Sequence, residues 1–332
     1  MRPKILIASL LFILINQSCT DNIGIASGGG REGEVVVVLN EEFQEGEAGK
    51  IIDQYLRGPY LILPQYEPLF KLYVISWYSF TETFKAYRNI VKVDIGTKYQ
   101  ESKALLQQNK NQTVITLTAP TVHDFVELFE KHGTQIVDAL SKSEREFAKR
   151  QIKKGAEDNL RKYLKNKHHV DMIIPKGYSI RKDTTDFVYL ALETNELTLG
   201  IMIYYYPYTD KKTFTIDNLL NKRDSICKEH IKGPLYPEKM SYMTTSRDPF
   251  TPLLKESMID NMYVAEIRGL WNVTDDFMGG PFLSTSRVDE ERNRVVTVEG
   301  FVYYPSENKR KFMRWFEAIA ESVTFPEKEK TQ

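Results

Sequence analysis

The sequence predicts an α+β protein built from two α/β sandwich-type units with mainly antiparallel sheets, joined by a long charged helix. Three observations on the 332-residue chain indicate this class. Short strand and helix patterns alternate in the first part, a helical pattern runs from Thr121 to Asn166, and long strand patterns dominate after it. The parts on either side of that helix are each long enough for a domain of ordinary size.

The first unit begins with a run of four valines. The segment Glu34–Asn40 ("EVVVVLN") is short, apolar and β-branched, which is typical of a buried strand. A helix is predicted over about Glu47–Arg57 because Gly58 follows as a stop signal. Hydrophobic patterns predict the remaining elements of this unit at Phe70–Ser76 (strand), Phe80–Arg88 (short helix), Ile90–Ile95 (strand) and Thr113–Pro120 (strand).

The helical pattern between the units is strongly charged. Lys142–Lys167 holds ten basic and four acidic residues. Several of these charges are spaced to pair along the helix, which favours a solvated face; a surface for anionic lipid headgroups or an acidic partner is the alternative. His132 and Gly133 mark a candidate position for a kink or a split.

The second unit is richer in strands. The pattern predicts strands and helices at Phe187–Glu193, Leu197–Pro207, Ile216–Ile231 (helix), Met262–Val273, Asn293–Pro305 and Lys309–Val323 (helix). This order of elements resembles the PsbP-like α-β-α sandwich over about Pro175 to Phe325. A likeness of fold does not imply a shared function.

The amino end has the features of a bacterial secretion signal. Arg2 and Lys4 form a short positive region, and the apolar run Ile5–Ile15 is shorter than the roughly 20 residues that a transmembrane helix needs. Ser18 precedes Cys19, which resembles the lipobox of bacterial lipoproteins, although the two residues before Ser18 depart from the usual pattern. We therefore predict that Cys19 carries lipid; an ordinary signal peptide with an incidental cysteine is the alternative.

These signals divide the chain into four segments. They are a signal peptide at 1–18, a flexible tether at 19–33, an amino-terminal α+β domain at 34–165 that ends in the long helix, and a carboxy-terminal α+β domain at 166–328.

Composition argues against several classes of function. The chain has 45 basic and 45 acidic side chains, and removal of the signal takes away two basic ones, Arg2 and Lys4. Nucleic-acid-binding proteins usually carry a basic excess, so no nucleic-acid partner is expected. With Cys19 acylated, Cys227 is the other of two cysteines and no intramolecular disulfide is expected. One thiol and five scattered histidines do not form a zinc pattern, so we predict no metal and no cofactor.

A second resemblance is carried by several longer motifs. "LPQYEPLF", "RDSICKEHIKGP", "FMGGPFLS" and "EGFVYYPSENKRKFMRWFEAI" occur in this order. Together they resemble a family of envelope lipoproteins from Bacteroidota whose domain is catalogued only as a domain of unknown function. The resemblance implies an envelope lipoprotein and no particular reaction. Surface-exported lipoproteins of that phylum carry an acidic cluster after the lipidated cysteine; only Asp21 stands there, so the expected location is the outer membrane, facing the periplasm.

The segment Glu266–Phe282 is the candidate binding site. A hairpin here would bring together Arg268, Trp271, Asp275, Asp276, Gly279, Gly280 and Phe282. Arginine and tryptophan are common binding anchors, and glycine lets a backbone approach a ligand. If the hairpin binds a partner, Arg268 and Trp271 should be partly exposed. The alternative is a structural hairpin in which Trp271 and Phe282 are core residues. The segments "TDD" and "GG" would then supply left-handed turn positions.

Two classes of function follow. A tethered binding or scaffold module would be attached to the membrane by its lipid and would engage an envelope protein or glycan through this hairpin. A hydrolase acting on envelope glycan or lipid would need converging carboxylates, whereas Asp275 and Asp276 are adjacent and point apart. The binding module is the preferred interpretation, and no catalytic residue is assigned. His168 and His169 are expected to be solvated at a helix end, since neighbouring imidazoles on a helix point about 100° apart.

Overall fold

The computed structural model describes residues 28–305 and 307–327. The predicted signal peptide and Cys19 lie outside these ranges. The described chain contains thirteen strands and seven α-helices, which confirms the α+β class. It divides into two compact units. Unit 1 comprises the residues up to Tyr55 together with Leu72–Leu140, and unit 2 comprises Leu56–Lys71 together with the residues from Ser141 onward.

These units differ from the predicted domains 34–165 and 166–328 in two places. The division falls inside the long helix, and residues 56–71 belong to unit 2 because Tyr60 and Leu63 are buried in its core. Residues 28–33, which the sequence assigned to the tether, are bonded to unit 1. The amide of Gly29 donates to the carbonyl of Ala86 (2.8 Å), and the amide of Arg88 donates to the carbonyl of Gly29 (2.9 Å).

Unit 1 is a five-stranded sheet with the strand order β2-β1-β3-β5-β4. Its elements are β1 (Glu34–Val38), α1 (Glu41–Gln44), α2 (Glu47–Leu56), β2 (Lys71–Ile75), α3 (Glu82–Lys85), β3 (Asn89–Ile95), β4 (Lys103–Gln108), β5 (Thr113–Ala119) and the first part of α4 (Val122–Lys154). β1 pairs with β3, and β3 with β5, in parallel, whereas β4 and β5 are antiparallel. The valine run fits this arrangement, because every residue of β1 is buried and parallel strands are covered on both faces.

Unit 2 is an eight-stranded sheet in which every neighbouring pair is antiparallel. Its elements after α4 are α5 (Asp158–Tyr163), β6 (Ser179–Asp183), β7 (Phe187–Glu193), β8 (Thr198–Pro207), α6 (Ile216–His230), β9 (Met243–Ser246), β10 (Leu253–Ile259), β11 (Met262–Val273), β12 (Gly279–Asp289), β13 (Arg294–Tyr303) and α7 (Arg310–Glu321). One face packs against α7 and the other against α6. The sheet is therefore a layer between helices. Its pairing is antiparallel, as predicted, whereas the pairings of β1 with β3 and of β3 with β5 in unit 1 are parallel.

The predicted helix Thr121–Asn166 is interrupted. α4 runs without a break through Gly133, where a side chain would lie 2.5 Å from the Tyr55 ring, so the glycine serves packing and not a kink. α4 ends before Gly155, and α5 leads into a π-helical turn at Leu164–His168. No helix in the described ranges has the length and apolar character needed to cross a bilayer.

Candidate functional site

The predicted hairpin is formed by β11 and β12. Gly269 lies opposite Phe282, Trp271 lies opposite Gly280, and residues 274–278 form the turn. Successive side chains of a strand point to opposite faces. Trp271 therefore points towards α6, whereas Arg268 points towards α7.

Trp271 and Phe282 are core residues. Trp271 is 2% exposed, Phe282 is fully buried, and the Trp271 indole meets the Phe301 ring edge-on at 5.5 Å. The partly exposed Trp271 that binding through this residue requires is not observed. The alternative, with Trp271 and Phe282 in the core, is the observed arrangement, because the alternation of β11 places Trp271 in the same buried row as Ile267 and Val273. Neither aromatic ring is available to a partner in this conformation.

Gly279 and Gly280 are also explained by packing. A side chain at Gly280 would lie 2.0 Å from the carbonyl oxygen of Val302, and one at Gly279 would lie 2.9 Å from the carbonyl oxygen of Trp271. The left-handed residue of the turn is Asp275, with φ of 60°. The suggestion that the two glycines supply left-handed turn positions is therefore wrong; they let neighbouring strands approach.

Arg268 is partly exposed (15%) and belongs to a polar cluster on the α7 face in which Tyr60 and Glu317 are buried. Its guanidinium donates to Glu266 (2.8 Å), to Glu317 of α7 (2.8 Å) and to the Tyr60 hydroxyl (3.1 Å), which itself donates to Glu317. Burial alone would raise the pKa of Glu317, but Arg268 and Arg145 lower it overall. Burial also raises the pKa of Tyr60. These hydrogen bonds of Arg268 all lie within unit 2, and they stabilise the fold.

The turn itself is the exposed part of the predicted site. Asp276 accepts a hydrogen bond from the amide of Met278 (3.0 Å), and the amide of Val273 donates to the carbonyl of Met278 (2.9 Å). Between these two hydrogen bonds the Phe277 ring is fully exposed to solvent. Phe277 was not predicted as a site residue. The available signal was an aromatic residue between "DD" and "GG" in a predicted turn.

A neighbouring loop is bonded to the base of this turn. The hydroxyl of Ser241 donates to the carbonyl of Thr274 (2.9 Å), and the amide of Tyr242 donates to the Thr274 hydroxyl (3.1 Å). The loop also exposes two large apolar side chains, Tyr236 and Met240. We define the hairpin tip surface as Asp275, Asp276, Phe277, Tyr236 and Met240. It combines apolar side chains with two carboxylates.

Unit 2 also contains an ion pair that sequence analysis missed. Arg223 of α6 donates to both carboxylate oxygens of Glu299 at 2.7–3.0 Å and to the Thr245 hydroxyl at 3.0 Å. Its guanidinium lies 3.9 Å from the centre of the Phe282 ring. Burial raises the pKa of the nearby Cys227 thiol to about 12, which makes this cysteine inert. The pair ties α6 to the sheet.

A second buried cluster surrounds His168. Its Nε2 lies 3.0 Å from Asp183, and its Nδ1 lies 3.2 Å from the Tyr205 hydroxyl. Burial lowers the pKa of His168, and the adjacent Lys167 lowers it further, although Asp183 opposes both. The expectation of a solvated His168 is wrong, because the π-helical turn buries Leu164 and His168 together.

An open cavity in unit 2 can be compared with the active site of a hydrolase. It has a volume of about 370 Å³ and is lined by Tyr206, Thr213, Asn218, Asn221, Lys222 and Ser225. No carboxylate or histidine lines it, so it lacks the converging acid and base that hydrolysis requires.

Comparisons with known proteins give families and distant folds. Solved structures that match include cyanobacterial PsbP (CyanoP) from Synechocystis sp. PCC 6803, with 12% identity, a TM-score of 0.30, and coverage of 48% of this chain and 88% of that chain. The Saccharomyces cerevisiae Ran-binding protein Mog1p matches with 7% identity, a TM-score of 0.31, and coverage of 48% and 91%. Likenesses at this level say nothing about what this chain binds.

No curated protein matches the chain. Two family models match it in sequence, and both describe domains of unknown function, as the resemblance in the longer motifs implied. Residues 28–153 match the domain of unknown function DUF8532. Residues 157–322, half of the chain, match a second model, and the protein therefore belongs to the family described as the domain of unknown function DUF4837.

Proposed function

We propose that this protein is a lipid-anchored lipoprotein of the bacterial outer membrane that faces the periplasm and binds another envelope protein through the hairpin tip surface. The positive region, the short apolar run and Ser18-Cys19 support the anchor. The motifs that resemble those of Bacteroidota envelope lipoproteins support the envelope location. Binding, and not catalysis, is the role that this surface suits.

The exposed Phe277 on a fixed turn carries the proposal. A phenyl ring in water has unfavourable contact with solvent, and aromatic side chains are common anchors of protein interfaces. Asp276 accepts a hydrogen bond within the turn and Thr274 accepts two from the 233–242 loop, and these bonds hold the turn. A held turn reduces the entropy that binding would otherwise cost. The apolar side chains of Phe277 and Met240 favour a protein over a glycan as the partner.

Photo-cross-linking in intact cells tests this proposal. A benzophenone-bearing residue at position 277 should yield a specific adduct with a protein. The matched control carries the same residue at Met258, which is also exposed (64%) but lies on the edge strand β10. Equal adducts at both positions, or none at 277, would contradict the proposal. An adduct at 277 that contains a glycan would move the assignment to a carbohydrate partner.

A further inference from the structure

Unit 1 displays two aromatic side chains on the loop between β2 and α3. Tyr78 is 98% exposed and Trp77 is 37% exposed. The loop is held in place, since the Trp77 indole N–H donates to the carbonyl of Val93 (2.9 Å) and its ring meets Phe80 at 6.2 Å. These rings are therefore presented to solvent by a fixed backbone.

Gly28 and Gly29 lie at the end of α3, the helix that follows this loop. The amides of Gly28 and Gly29 both donate to the carbonyl of Ala86, at the end of α3. Phe80 and Tyr87 pack against the same small cluster of buried residues, which consists of Val36, Val38 and Ile90. The aromatic loop and the point where the amino-terminal segment joins unit 1 consequently belong to one face of the sheet.

The segment before Gly28 is short. Nine peptide steps separate Cys19 from Gly28. At the extended length of a polypeptide they span at most roughly 30 Å. A lipid on Cys19 would thus hold this face of unit 1 within about that distance of the bilayer surface.

Two lysines lie among these rings. The Lys92 ammonium is 5.5 Å from the centre of the Phe80 ring and forms no ion pair within the described ranges. Lys85 is paired with Glu82 at 2.7 Å. Burial lowers the pKa of Lys92, and Lys85 lowers it further, so the two cations are close enough to interact. Interfacial tryptophan and tyrosine together with lysine are the side chains that settle at phospholipid headgroups.

We define the aromatic loop surface as Trp77, Tyr78, Phe80, Lys85 and Lys92. We infer that this surface lies against the headgroup region of the bilayer that carries the anchor. The inference rests on the lipid anchor of the proposed function. It adds a second contact to that anchor.

Quenching of tryptophan fluorescence by brominated phospholipid tests the inference. The chain from Cys19 onward is coupled through the Cys19 thiol to a maleimide lipid, in vesicles of phosphatidylcholine and phosphatidylglycerol with or without bromine on the acyl chains. Cys227 is fully buried and does not compete for the maleimide. Because the anchor is supplied chemically, the result does not depend on acylation in the cell.

We expect brominated lipid to quench the parent protein, and we expect this quenching to be lost in Trp77→Phe. Tyr78→Asp should reduce it while leaving the tryptophans in place. The matched control is Leu105→Asp, an exposed position on β4 at the opposite edge of the sheet, which should leave quenching unchanged. Absence of quenching in the parent, or equal quenching in all four proteins, would overturn the inference. If quenching occurs as expected but Cys19 proves to be unmodified in cells, the lipid anchor of the proposed function is refuted and the membrane contact of the aromatic loop surface is not.

Discussion

Trp271 and Phe277 stand in one hairpin and have opposite surroundings. Trp271 is buried against α6, whereas Phe277 is fully exposed at the turn. From the sequence, tryptophan was the more plausible binding anchor. Strand alternation decides otherwise, because it assigns every second residue of β11 to the core.

The two residues should respond differently to truncation. Trp271→Ala should lower the free energy of unfolding by about 3–5 kcal/mol, the usual cost of removing a core aromatic ring. Phe277→Ala should change it by no more than about 0.5 kcal/mol, since its ring contacts solvent. Urea denaturation of both variants measures the difference. Trp271→Phe is the control, because the indole N–H it removes has no hydrogen-bond acceptor in the described structure. Comparable losses for Trp271→Ala and Phe277→Ala would contradict the assignment.

Arg223 and Glu299 form a buried ion pair in which each charge compensates the other. Both are buried, so removal of either partner leaves an uncompensated charge in the core. Arg223→Met or Glu299→Leu alone should cost about 3–5 kcal/mol of stability. The double variant should recover much of that loss, because hydrophobic replacement of a buried pair is often neutral. A thermal denaturation cycle checks this, and additive losses in the double variant would show that the two side chains act independently.

Local patterns in the sequence predicted many of the strands and helices but not β4, β9 and β10, and long-range contacts determine how the strands pair. The valine run predicted a buried strand, but the parallel pairing of β1 with β3 depends on packing between distant segments. Arg223 stands in a helix with many charged neighbours. Its partner Glu299 is on β13, and no local pattern connects the two. In the candidate site, the turn with Asp275 and Asp276 was predicted, but the burial of Trp271 was left open.

The π-helical turn gives unit 2 a pH dependence. The pKa of buried His168 is below its unfolded value of about 6.5, so the folded state binds fewer protons than the unfolded state. Stability from this group is complete above about pH 6.5 and should fall as the pH drops below that value. His168→Gln should flatten the decline in melting temperature between neutral and acidic pH. Some slope should remain, because the pKa values of His169 and His230 are also lowered by burial. An unchanged profile would contradict the buried, neutral His168.

At the scale of the whole molecule, the proposal joins a lipid anchor to a binding module. If Cys19 carries lipid, Cys19→Ser should move the protein from the membrane fraction to the soluble periplasm or block its processing. Fractionation of cells expressing either form measures this, with Trp271→Phe as a control whose processing should be normal. Unchanged fractionation together with normal processing would contradict the anchor.

The role of Phe277 is tested most directly by measuring the affinity of the protein for the partner captured at position 277. Truncation of an interface anchor typically costs at least about 2 kcal/mol, which is roughly a 30-fold rise in Kd. We predict such a rise for Phe277→Ala and no change for Met258→Ala, with melting curves like that of the parent in both. A Kd for Phe277→Ala equal to that of the parent would contradict the account.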